Sequence, residues 1–118
     1  MLTLICGHPN AGKTTYSERF ENVLHFDEYL GRYADGYAIA AGMDDVVVEG
    51  LFQKRKTRLE LLDALADHSP KVCIWVDTPT EVCKARPDFK GRARMEPPTL
   101  DEGWDEMIVI RGDGEPNP

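Results

Sequence analysis

Five short apolar runs punctuate the chain, separated by charged or glycine-containing stretches. "LTLIC" at 2–6, "VLHF" at 23–26, "VVVEG" at 46–50, "KVCIWV" at 71–76 and "MIVI" at 107–110 each predict a strand. They show little alternation of polar and apolar residues, so they suit a sheet buried on both faces. Helical spacing fills the gaps. A helix is predicted from 12–13 to about 21, with Tyr16, Phe20 and Val23 turned inward. Leu59, Leu62, Leu65 and Ala66 predict another over 57–66. "DEYLGRY" predicts a polar helical turn or loop, broken by Gly31 and Gly36, and "YAIAA" a short helix ended by Gly42. "DTPTEVCKAR" reads as a turn into a helix, with Pro79 at a tolerated first-turn position. "GDGEPNP" reads as a frayed tail.

Strands alternating with helices imply an α/β fold: a parallel five-stranded sheet with helices on both faces, in three α/β/α layers. In such sheets right-handed crossovers restrict the topology, and ligands sit beyond the carboxyl ends of the strands. The segment from Gly7 to Thr14, Asp27 and Glu49 all fall at such ends. A chain of 118 residues suits one domain, expected over 1–112 with a flexible tail at 113–118.

Composition adds exclusions. No apolar run approaches the ~20 residues of a membrane span, and the N-terminus reads as a strand rather than a signal peptide, so a cytoplasmic protein is expected. Cys6, Cys73 and Cys83 are an odd number without metal-ligand spacing, and buried free thiols are expected. The net charge of −7 argues against sequence-blind coating of DNA but leaves room for a local nucleic-acid site. Most of the 14 basic residues fall in two clusters, Lys54, Arg55, Lys56 and Arg58, then Lys84, Arg86, Lys90, Arg92 and Arg94.

Gly7-His8-Pro9-Asn10-Ala11-Gly12-Lys13-Thr14 fits G-x-x-x-x-G-K-[ST] without a mismatch, and it lies between a predicted strand and a predicted helix. The glycines let the backbone wrap a phosphate, so that N–H groups face the anion. The residues Gly7 to Thr15 are therefore the expected ATP-binding loop. Lys13 would reach the β- and γ-phosphates, and the Thr14 hydroxyl would ligate Mg²⁺. His8 and Asn10 fill free positions of the loop, and His8 is expected to face solvent rather than to take part in chemistry.

Asp27 follows the second strand. It is either a general base that accepts the proton of an incoming hydroxyl or a helix N-cap. Glu49 closes the third strand, where an acidic residue can hold Mg²⁺ through water. Asp77 reads mainly as a turn and capping residue. Arg92 and Arg94 lie in "KGRARMEPP", a segment able to close over the phosphates and neutralise developing charge, with Arg86 a third candidate. The Lys54–Arg58 cluster fits either an acceptor phosphate or a solvated surface equally well.

Assembled, these residues resemble the small P-loop kinases, and among them the kinase domain of polynucleotide kinases. "LTLICGHPNAGKTTYSERF" looks like the strand, phosphate loop and helix of that family, and "LHFDEY" resembles the motif whose aspartate serves as general base, at Asp27. "VVVEGLFQKRKTRLELL" fits the third-strand region, with Glu49 at the acidic position. "MEPPTLDEGWDEMIVI" is similar to the segment that leads into the last strand. The resemblance implies a P-loop NTPase fold and transfer of the ATP γ-phosphate to a polynucleotide 5′-hydroxyl, with Lys13, Asp27, Arg92 and Arg94 catalytic. Leu30 stands where the phage members carry an acceptor-phosphate arginine, with Arg32 nearby, and the acceptor and lid regions are short. A kinase of a small metabolite or nucleotide, or an ATP-binding module without efficient turnover, therefore remain alternatives. A GTPase is disfavoured, because Asn10, Asn22 and Asn117 leave no N-K-x-D motif.

Overall fold

The computed structural model describes residues 1–7, 13–29, 31–77 and 95–110. Their elements run β1 (Leu2–Cys6), α1 (Lys13–Ser17), β2 (Val23–His25), a 3-10 turn (Phe26–Tyr29), α2 (Tyr33–Ala41), β3 (Val46–Glu49), α3 (Arg55–Ala64), β4 (Lys71–Val76), a second 3-10 turn (Leu100–Glu102) and β5 (Glu106–Ile110). The five strands form one parallel sheet in the order β2-β3-β1-β4-β5. All five apolar runs are strands, and the α/β architecture follows from them.

Burial on both faces explains why the runs are continuous. Leu2, Leu4 and Cys6 of β1, Val46 and Val48 of β3 and Cys73 of β4 pack on one face with Phe26, Ala40 of α2 and Leu61 and Leu62 of α3. The alternate residues Ile5, Val72, Ile74, Val76 and Ile110 pack on the other face, where Tyr16 of α1 and Phe20 cover them. Each fully buried Leu, Ile, Val or Phe among them contributes ~1.5–3 kcal/mol. The inward spacing of Tyr16 and Phe20 is thus used, but α1 is shorter than its pattern predicts. The Ser17 hydroxyl donates to the Thr14 carbonyl at 2.7 Å. The next turns tighten to i−3 bonds, Arg19 to Tyr16 and Phe20 to Ser17. Asn22 at φ 58 then redirects the chain into β2.

The second departure concerns Gly36. Read locally it is a breaker; in the structure it lies buried inside α2. A Cβ there would stand 2.7 Å from Cζ of Phe26, so the missing side chain makes room for a buried ring. That ring meets Tyr29, Tyr33, Tyr37 and Phe52 at centroid separations of 5.4–5.6 Å, and the added contacts hold α2 onto the sheet. Gly31, at φ 78, supplies the left-handed turn before α2. The expected helix after Asp77, the segment 85–94 and the tail from 111 lie outside the described residues. Among the described residues no helix is long and apolar enough to cross a membrane.

Candidate functional site

β1 is the central strand, flanked by β3 and β4. The chain leaves β1 for β2 and β3 on one side and later builds β4 and β5 on the other, so the carboxyl end of β1 is the point where the topology reverses. In open parallel sheets that point is the ligand crevice. Gly7 begins the glycine-framed segment there, and its N–H donates to the Leu51 carbonyl at 3.3 Å, tying the loop's start to the chain leaving β3. Lys13 and Thr14 reappear at the first turn of α1, Lys13 being buried at 6% exposure. His8, Pro9, Asn10, Ala11 and Gly12, and the side chain of Thr15, lie outside the described residues.

Sheet register assembles the centre of the site. Ile5, Glu49 and His25 are direct partners across β1, β3 and β2. The Thr14 hydroxyl donates to Oε1 of Glu49 at 3.0 Å. Nδ1 of His25 lies 3.0 Å from the same oxygen. Glu49 is 2% exposed, and its Oε2 is buried without a hydrogen-bond partner among the described residues. A carboxylate oxygen left so costs about 1–3 kcal/mol. An added donor or a cation, direct or through water, would offset that cost. Among the described residues no group of three or more His, Cys, Asp and Glu side chains could hold a metal ion. Thr14 and Glu49 together offer two oxygen ligands, a set that fits Mg²⁺, which keeps several waters and takes few protein ligands.

Asp27 lies within the 3-10 turn that follows β2 and is exposed, one residue past the start of the turn rather than in front of it. The N-cap alternative is not what the structure shows. Its charge reaches Tyr33, whose phenol is pushed up from its ordinary value by burial and then by Asp27. Tyr33 stacks on Phe52 with an interplanar angle of 18° and a centroid separation of 5.7 Å. The carboxylate thus sits at the same sheet edge as Glu49, beside an aromatic wall.

The first basic cluster requires a correction. Arg58 neither faces solvent nor an acceptor; it is fully buried. Its Nε and Nη2 donate to Oε1 and Oε2 of Glu102 at 2.9 and 2.8 Å, and Nη1 donates to the Phe52 carbonyl at 2.7 Å. Burial draws the Arg58 pKa down, but the hydrogen bonds and charge of Glu102 outweigh it, and the net shift is upward. Trp104 Nε1 donates to the same Glu102 at 3.0 Å. Arg55 is also engaged, pairing with Asp101 at 3.4 Å and Glu102 at 3.5 Å. Only Lys54 and Lys56 of this cluster are exposed. The acidic residues of "TLDEGW" therefore clamp α3 and the chain after β3. Phe52, at φ 39, is held in a conformation that costs a side-chain-bearing residue ~1–3 kcal/mol.

Cys6 and Cys73 are free, buried thiols with Sγ atoms 3.9 Å apart. The hydrogen bond to Cys6, together with burial, pushes the Cys73 thiol well up. Cys83, Arg86, Arg92 and Arg94 lie outside the described residues. The chain resumes at Met95, and the Glu96 N–H donates to the Gln53 carbonyl at 2.8 Å, next to the β3 exit. The pattern along the chain misses one member of the site, His25. Its strand-end position matches that of Glu49, but only register shows that the two are neighbours. No protein-family model matches the chain, and comparison with curated proteins finds no match.

Proposed function

We propose that the protein is a P-loop kinase, an ATP- and Mg²⁺-dependent phosphotransferase with a hydroxyl acceptor, foremost the 5′-hydroxyl of a polynucleotide. The observation that carries this reading is the Thr14 hydroxyl bound to buried Glu49 at the end of β3, beside the glycine-framed segment that follows the central strand. A glycine-rich turn without a ligand has no need of a buried carboxylate with one oxygen unpaired among the described residues. In this reading Lys13 and the loop backbone hold the triphosphate, and Thr14 and Glu49 hold Mg²⁺. When bound, Mg²⁺ neutralises charge on the phosphate oxygens. Asp27 accepts the acceptor's hydroxyl proton as that oxygen attacks the γ-phosphorus and ADP leaves. Arg92 and Arg94 stabilise the transferring group.

A second reading, a kinase of a small metabolite or nucleotide, gains support from the basic cluster. With Arg58 buried and Arg55 paired, only Lys54 and Lys56 remain exposed there for a polynucleotide backbone. The test is transfer from γ-labelled ATP with Mg²⁺ to a 5′-hydroxyl oligonucleotide, to nucleosides and to sugars, for wild type and Asp27→Asn. Label on the oligonucleotide, with KM rising with salt as phosphate contacts release counterions, supports the polynucleotide acceptor. Transfer only to a small acceptor, insensitive to salt, moves the function to the second reading. Nucleotide binding without transfer to any acceptor leaves an ATP-binding module. Asp27→Asn should lower transfer by ~10²–10⁴. An unchanged rate removes Asp27 as the base.

A further inference from the structure

We infer that His25 is a positioning residue for Glu49, setting the carboxylate for a divalent cation. The inference rests on the phosphate-loop reading above and goes beyond it in giving the β2 end a role in cation binding. Oε1 of Glu49 receives two donors from two elements, His25 of β2 and Thr14 of α1, each at 3.0 Å. A carboxylate can only accept, so Nδ1 of His25 carries the hydrogen in this contact. One donor alone would leave the carboxylate plane free to turn. Two donors from two elements hold it, and Oε2 is the oxygen left without a hydrogen-bond partner among the described residues. Of the two partners, Thr14 is the one whose oxygen would itself ligate the cation. His25 is the partner that holds Glu49 whether or not a cation is bound. Groups that orient a ligating carboxylate in this way typically change metal affinity by ~10–100-fold when removed.

The His25 side chain is 40% exposed, so substitution there leaves the core intact. Two variants separate positioning from packing. His25→Leu fills similar space without a donor, and His25→Asn restores an N–H near the position of Nδ1. The readout is binding of a fluorescent ATP analogue, by anisotropy, over a Mg²⁺ titration, with thermal melts to confirm folding. For His25→Leu the half-saturating Mg²⁺ concentration should rise by ~10-fold or more, while analogue affinity at saturating Mg²⁺ stays near wild type. His25→Asn should return the midpoint close to wild type. An unshifted midpoint in His25→Leu, or an equal shift in both variants, overturns the inference and leaves nucleotide binding standing. Wild-type protein that binds the analogue without any dependence on Mg²⁺ overturns the inference and the cation role of Thr14 and Glu49 with it. Failure to bind the analogue at all defeats the phosphate-loop reading itself.

Discussion

Removing either partner of the Arg58–Glu102 pair should destabilise the protein more than any other single polar substitution among the described residues. Both side chains are fully shielded from solvent. In Glu102→Gln the amide nitrogen would face the donor Nη2 of Arg58, and in Arg58→Met the carboxylate keeps, among the described residues, Trp104 and the partly exposed Arg55. Breaking a buried pair from one side costs ~3–5 kcal/mol, because the surviving charge stays buried. Against a total stability of ~5–15 kcal/mol for a domain of this size, that is a large share. With ~4 °C of melting temperature per kcal/mol, each single variant should melt at least about 12 °C lower. Arg58 also holds the Phe52 carbonyl, so Arg58→Met releases the left-handed Phe52 as well. The double variant Arg58→Met, Glu102→Leu should lose less than the two single losses added together, since removing both partners leaves neither charge buried without the other. It should fall short of full recovery, because the Trp104 N–H and Phe52 carbonyl lose their partners at ~1–3 kcal/mol for each buried unpaired group. Thermal and urea melts followed by tryptophan fluorescence measure all three, with buried Trp104 as a local reporter. Single losses below ~1 kcal/mol that simply add in the double variant would show a solvated pair and refute the reasoning.

Gly36→Ala should destabilise despite its gain in helix propensity of ~1 kcal/mol, because overpacking costs ~1–3 kcal/mol. The new Cβ would meet Phe26 atoms at 2.7 and 2.8 Å, and that ring is wedged among four others. Gly42→Ala is the control: its Cβ would sit 3.5 Å from the nearest atom, so melting should be nearly unchanged. Tyr33 makes the alkaline limb of the stability profile specific. Its folded pKa lies above 10.0, so its contribution is complete below pH 10 and is lost as pH rises through the folded value. Asp27→Asn should move the Tyr33 transition downward in an ultraviolet pH titration while the share due to burial remains; no movement would separate Asp27 from the aromatic wall.

The strands were legible because a doubly covered parallel sheet leaves an unbroken apolar signature, and the ends of those runs already contain Gly7, Asp27 and Glu49. What depended on pairing across the sheet was not legible. His25 reads as one residue of a short strand until register places it beside Glu49. Arg58 sits in a run of basic residues, and its burial is set by Glu102, 44 positions away. Gly36 reads as a breaker because the neighbour that needs its missing side chain, Phe26, lies outside any local helical window. Each misreading has the same origin: local pattern reports propensity, while burial of a charge or a glycine is decided by a distant partner.

The most direct test of the central claim is a calorimetric titration of Mg·ATP into wild type and Lys13→Ala. A lysine contact to phosphate is a charge-assisted hydrogen bond of about 1.5–3 kcal/mol, so its loss should weaken binding by ~10–150-fold. One Mg·ATP bound per chain, with affinity falling by that factor in a folded Lys13→Ala protein, is the predicted result. Equal affinity in the two proteins, or no binding to wild type, would contradict the account.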